Sequence, residues 1–199
     1  MGLFAKSLYP LLPKEYDFGK RQKTFKKTLK LLQERQAKTL VETGTARYGL
    51  ESTKSDGAST IVFGSWADKN DAQLFSIDYD IEAISMAKKE ILRLDLKHSV
   101  EFANAESVAF LSNFQQKVDF LYLDSYDYDR KNKQEQQLSQ KHHLDEFRAI
   151  QNRLHDESVV LIDDCRLPGG GKGKLVIDLM RERGWKIHTR SYQVLLVKK

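Results

Sequence analysis

Two apolar runs in this chain stop abruptly on carboxylates. Val118-Asp119-Phe120-Leu121-Tyr122-Leu123 is followed by Asp124, and Ser158-Val159-Val160-Leu161-Ile162 by the pair Asp163-Asp164. Short runs of this kind read as buried strands. A buried strand that ends on an acid delivers that acid to the carboxyl edge of a parallel sheet, where open α/β sheets bind their ligands. Three carboxylates meeting at one edge repel unless a metal ion, a cationic ligand or a shared proton lies between them.

The rest of the chain supplies the partners such a sheet requires. Thr39-Leu40-Val41 runs into Glu42-Thr43-Gly44-Thr45, Leu74-Phe75-Ser76-Ile77 ends on Asp78, and Val100-Glu101-Phe102-Ala103 follows. Helices are expected over about 16–35, 58–66, 81–94, 108–114, 136–154 and 174–183. Ser59 or Thr60 is the expected cap of the second and Asp80 of the third. Three residues, Arg190-Ser191-Tyr192, separate the last two strands, so these form an antiparallel hairpin. The expected fold is α/β: a doubly wound, mostly parallel seven-stranded sheet in three layers, closed by that hairpin. We read residues 1–199 as one domain, with 1–38 as an N-terminal helical extension.

Composition narrows the function classes. The balance of 40% hydrophobic and 31% charged residues is ordinary for a globular chain, and no apolar run is long enough to cross a bilayer. The first residues lack the pattern of a secretory signal or a myristoylation site, and a single cysteine, Cys165, precludes an internal disulfide. A cytoplasmic location is expected. Lys20, Arg21, Lys23, Lys26, Lys27 and Lys30 concentrate the +5 net charge. Phe25, Leu29 and Leu32 oppose them at helical spacing, which favours a solvated helix face over a nucleic-acid surface.

Glu42 at the first strand end disfavours a pyrophosphate and favours a cationic cofactor there. The G-x-G-x-x-G fingerprint of dinucleotide sites is absent. Asp78 stands where doubly wound folds hold ribose hydroxyls. The order Val41-Glu42-Thr43-Gly44-Thr45, Ser76-Ile77-Asp78-Tyr79-Asp80, Leu121-Tyr122-Leu123-Asp124-Ser125-Tyr126-Asp127 and Leu161-Ile162-Asp163-Asp164 resembles the class I S-adenosylmethionine-dependent methyltransferases. The resemblance spans Thr39 to the end of the chain. It implies that Glu42, Gly44 and Thr45 line the methionine part of S-adenosyl-L-methionine. Asp78 would hold the ribose, and Glu106 and Ser107, with Asn104 second, would surround the adenine; Ser59, Tyr79 and Asp124 are further cofactor-binding candidates. The loop from Arg47 to Gly57 departs from the family's tight glycine turn.

Within that family the acids resemble the metal-dependent O-methyltransferases of the catechol and sugar types. That likeness implies Mg2+ or another divalent cation on Asp124, Asp163 and Asp164, a small-molecule hydroxyl as acceptor, and an ion that acidifies that hydroxyl. Asp124, His143 and Lys172 are the catalytic candidates, with His143 or Lys172 as a base. The glycine-rich segment Leu167–Gly173 and the polar stretch 127–141 are expected to be lids. The alternatives are a methyltransferase-like binding module without catalysis and a nucleic-acid methyltransferase using the basic leading helix. Homo-oligomerisation is left open by the sequence.

Overall fold

Each central strand alternates its side chains between two apolar layers, and this is what forces helices onto both faces of the sheet. Leu40, Leu74, Phe120, Tyr122, Val159, Leu161 and Leu195 enter one core; Val41, Phe75, Leu121, Leu123, Val160, Ile162 and Leu196 enter the other. The structure is a computed structural model and describes Leu8 and residues 11–198. The readings made above of the signal and myristoylation patterns fall on residues outside that range.

Seven strands, β1 (Thr39–Thr43), β2 (Gln73–Asp78), β3 (Val100–Asn104), β4 (Val118–Leu123), β5 (Leu154–Ile162), β6 (Lys186–Arg190) and β7 (Val194–Val197), form one sheet in the order β3-β2-β1-β4-β5-β7-β6. The first five pair in parallel, and β7 pairs antiparallel with both β5 and β6. The expected topology, including the closing hairpin, is therefore found. Helices α1 (Gln22–Glu34) and α2 (Ser59–Lys69) pack on one face, with Ile91 of α3 (Ile81–Arg93). Helices α4 (Ser107–Asn113), α5 (Lys133–Ile150) and α6 (Lys174–Glu182) cover the other. No helix among the described residues is long and apolar enough to cross a membrane.

Local sequence explains most boundaries. Asp80 caps α3 by accepting from the Glu82 and Ala83 amides, as expected, and Asn132 caps α5 in the same way, starting it three residues earlier than its apolar pattern suggests. Helix α2 has no side-chain cap: Ala58 opens it in a left-handed conformation, φ 48°. Thr60, one of its expected caps, is diverted to the Ala46 amide and the Glu42 carboxylate. In α1 the lysines face solvent while Phe25 is fully buried, edge-on to Phe18, Phe63 and Tyr122.

Candidate functional site

Strand register sets Gly44, Asp78, Asp124 and Asp163 in one row. Thr43 pairs with Ile77 and with Leu123, and Leu123 pairs with Ile162, so the residue after each stands at the carboxyl edge of the sheet. The row continues by backbone bonds: Gly44 N–H donates to Ile77, Asp124 N–H to Thr43 and Asp163 N–H to Leu123. Gly44 is required because its φ of 87° is left-handed and an added Cβ would meet the Asp124 carbonyl at 2.5 Å.

Two cavities open above this row. The larger, about 440 Å³, is lined by Asp78, Tyr79, Glu106, Ser107 and His142, with Ser125 and Tyr126 behind. The smaller, about 220 Å³, is lined by Gly44, Thr45, Ser59, Asp124, Asp164 and Lys172, among others. Arg47 and Asp127 line both and pair at 3.5 Å, so the loop after β1 stands between them. Asp78 accepts from the Thr45 and Asp80 amides at 2.9 Å, which fixes its carboxylate at the cavity wall with lone pairs to spare. Glu106 is held by the Val108 and Ala109 amides. Asn104 donates to the Asp78 and Tyr79 carbonyls and so braces the loop after β2.

Glu42 lies beneath this surface and does not line either cavity. It is fully buried, accepting from Ser76 at 2.6 Å and Thr60 at 2.5 Å, with Oε2 left without a partner. Burial raises its pKa to about 7. Its expected direct contact with a cofactor becomes support of the cavity floor, through Thr60, Ser76 and Thr45, whose hydroxyl is 2.8 Å from that of Ser76.

The carboxylates after β4 and β5 meet cations that the chain itself provides. Lys172 Nζ lies 2.5 Å from Asp124 Oδ1, 3.4 Å from the Asp124 carbonyl and 3.5 Å from Asp164 Oδ2. Arg21 Nε donates to Asp163 Oδ2 at 2.6 Å, and its outer nitrogen stands 3.8 Å from Asp164. Asp163 is fully buried and also accepts from Tyr122 at 2.6 Å and the Asp164 amide at 2.6 Å. Although burial opposes ionisation, Arg21 holds Asp163 below its usual range. Lys172 is likewise raised, because Asp124 and Asp164 more than offset its burial. Asp124 is pushed up by burial and by the nearby Asp163 and Asp164, against the pull of Lys172.

These residues do not fit a divalent ion. The ammonium of Lys172 fills the space between Asp124 and Asp164, and Asp163 spends both oxygens on Arg21, Tyr122 and backbone. Among the described residues no group of three or more His, Cys, Asp and Glu side chains could hold a metal. The expected triad of Asp124, Asp163 and Asp164 around Mg2+ is replaced by three carboxylates around two fixed cations. The chain reaches this through Gly171: at φ 65°, with an added Cβ 1.9 Å from the Asp164 carbonyl, it folds the loop back and inserts Lys172. That loop is strapped down by Tyr128 on the Pro168 carbonyl and Gln140 on the Gly169 carbonyl, and Gly171, Lys172 and Gly173 are buried. It is a structural brace rather than an open lid.

The two expected bases, His143 and Lys172, are both held by partners within the chain. His143 is fully buried, holds the Ser139 carbonyl with Nδ1, reaches neither cavity, and is lowered by burial to about pKa 4. His142 is the histidine that faces the larger cavity, 3.0 Å from Ser107 Oγ and 3.4 Å from Glu146. Burial works against its charge, but Glu146 raises it on balance. The ion pairs with Asp124 and Asp164 favour the protonated ammonium of Lys172 over a free base. Cys165 is buried against the Ile162 carbonyl and its thiol is raised by burial, in keeping with a packed rather than a reactive cysteine. Arg21, which the sequence groups with its lysine neighbours, is instead buried against Asp163. Its spacing of four, seven and eleven to Phe25, Thr28 and Leu32 puts it on the buried stripe.

A family model described as a methyltransferase domain matches residues 54–165, more than half of the chain. Solved structures share its architecture at low identity. A Staphylococcus aureus protein assigned as a caffeoyl-CoA O-methyltransferase aligns with a TM-score of 0.65 at 15% identity, covering 88% of this chain and 83% of that one. The S-adenosylhomocysteine-bound Podospora anserina methyltransferase PaMTH1 aligns with a TM-score of 0.63 at 11% identity, over 88% and 78%. A Geobacter sulfurreducens methyltransferase gives 0.59 at 16%, over 88% and 77%. These likenesses establish the fold. A search of curated proteins finds no significant match.

Proposed function

Because the chain belongs to the methyltransferase-domain family, we propose that it transfers a methyl group from S-adenosylmethionine to an oxygen of a small molecule, with no divalent ion in the site. The adenosine would occupy the 440 Å³ cavity, with Asp78 on the ribose hydroxyls, Tyr79 beside them, and Glu106 and Ser107 near the base. The methionine end would lie across Gly44, Thr45 and Ser59 in the smaller cavity, facing Asp124 and Asp164. Asp124 and Asp164 share Lys172 and Asp127 pairs with Arg47, so Asp56, without an ion pair among the described residues, is the lining carboxylate left for a ligand end carrying ammonium and sulfonium charge.

Asp124 is the group we assign to the acceptor's proton. Its oxygen O–H bond breaks as the new O–CH3 bond forms, the proton passes to the carboxylate, and the sulfonium leaves as the neutral sulfide. Burial among other acids makes Asp124 a stronger base than a free carboxylate, while Lys172 fixes its orientation. Oxygen as the acceptor atom is supported by the structural likeness to the protein assigned as a caffeoyl-CoA O-methyltransferase.

The observation that carries the reading is the single row of Gly44, Asp78 and Asp124 beneath two neighbouring cavities that share Arg47 and Asp127. Asp78→Ala tests it: S-adenosylhomocysteine affinity, read by calorimetry, should fall at least about tenfold with the thermal midpoint nearly unchanged. Equal affinity in the variant and the parent would refute the assignment.

A further inference from the structure

Beyond Tyr192, which lines the smaller cavity, lies a third hollow of about 520 Å³ that Tyr192 also lines. Lys20, Arg130 and Arg166 converge on it, and among the described residues no carboxylate lines it. They come from three separate segments: the turn before α1, the loop between β4 and α5, and the loop after β5. None of the three has an ion-pair partner among the described residues. The cations of the neighbouring cavity, Arg21, Arg47 and Lys172, are all ion-paired. Like charges brought together without a counter-ion repel, and a concave wall focuses their field. Lys20 also has a ring contact, 5.1 Å above Tyr192. Leu167 and Pro168 add an apolar wall.

We propose that this hollow is the acceptor subsite and that the acceptor is a small molecule carrying an oxyanion group, carboxylate or phosphate. The proposal rests on the methyltransferase reading above. Arg130 and Arg166 supply forked donors for the oxyanion, Lys20 adds a point charge, and the body of the acceptor lies along Leu167 and Pro168. Its hydroxyl then passes Tyr192 toward Asp124. A hollow of this size matches small-molecule sites. A neutral acceptor would leave three cations facing one another.

The test begins with calorimetric titration of S-adenosylhomocysteine. No binding there defeats the methyltransferase reading itself. On protein saturated with that ligand, inorganic phosphate and 4-hydroxybenzoate are titrated next, with methyl 4-hydroxybenzoate as the neutral control. The expected result is binding of at least one anion and about tenfold weaker binding of the ester. The double variant Arg130→Gln/Arg166→Gln should lose the anion about tenfold while keeping S-adenosylhomocysteine affinity within twofold. Phosphate alone assigns the phosphate class, and benzoate alone the carboxylate class. Equal binding of ester and anion, or unchanged anion binding in the variant, overturns the proposal. Binding of a short single-stranded RNA but of neither small anion overturns it in favour of a nucleic-acid acceptor.

Discussion

Asp124 and Lys172 face each other at 2.5 Å, and the chemistry we assign depends on both keeping that geometry. Asp124→Asn should cut turnover by a hundredfold or more, on the scale of a lost proton acceptor, with S-adenosylhomocysteine affinity within a few-fold of the parent. Lys172→Ala removes the ammonium, leaving Asp164 near Arg21 and Asp124 with the Tyr122 hydroxyl but no ion pair among the described residues. Breaking a buried pair in this way costs about 3–5 kcal/mol. Millimolar Mg2+ should then raise the thermal midpoint of this variant but not of the parent. An equal shift in both would show that the ion binds despite the lysine. Glu42 gives a pH signature. Its folded pKa of about 7 lies above its ordinary 4.5, so the folded state holds the proton more tightly. Its contribution is therefore complete below pH 4.5 and is lost as pH rises through 7. His143, lowered to about 4, works oppositely between 4 and 6.5, so the parent's curve alone is ambiguous. The difference between the parent and Glu42→Gln isolates the effect: the parent should lose about 2–3 kcal/mol relative to the variant from pH 4.5 to 8 in urea unfolding. A flat difference would contradict the burial argument. Three acids at two strand ends were legible in the sequence, but the cations between them were not. Arg21 is 142 residues from Asp163 and Lys172 is 48 from Asp124, so only the fold pairs them.

Strands β1, β2, β4 and the buried second half of β5 could be read from the sequence because both faces are buried there, whereas the polar, partly exposed start of β5 from Leu154 falls where a helix end and a loop are expected. Helix α5 was harder. Its buried stripe is Ser139, His143, Glu146, Phe147 and Ile150, largely polar, so the apolar periodicity is weak. The spacing of four from His143 to Phe147 nonetheless marks His143 as interior and turns His142 toward the cavity. Helix α1 couples stability to the site. It delivers Phe25 to the core, and the turn before it delivers Arg21 to Asp163. Phe25→Ala should cost about 3–5 kcal/mol and also weaken cofactor binding, because a loosened α1 withdraws Arg21. Urea unfolding and calorimetry on one sample check both halves; lost stability with intact affinity would separate the helix from the site.

Across the whole molecule, one carboxyl edge carries the row we assign to the cofactor, a cluster of acids with built-in counter-ions, and a hollow lined by cations that have no ion pair among the described residues. The acidic and basic regions meet at Tyr192, where a cationic methyl donor and an anionic acceptor would face each other. This division of charge was invisible along the chain, since Lys20, Arg130 and Arg166 are far apart in sequence and near only in the fold. The most direct test of the central claim is S-adenosylhomocysteine binding to the parent protein, measured by calorimetry once with excess chelator and once with Mg2+. The account predicts one site per chain with the same affinity in both buffers. No binding, or binding only when the ion is present, would contradict it.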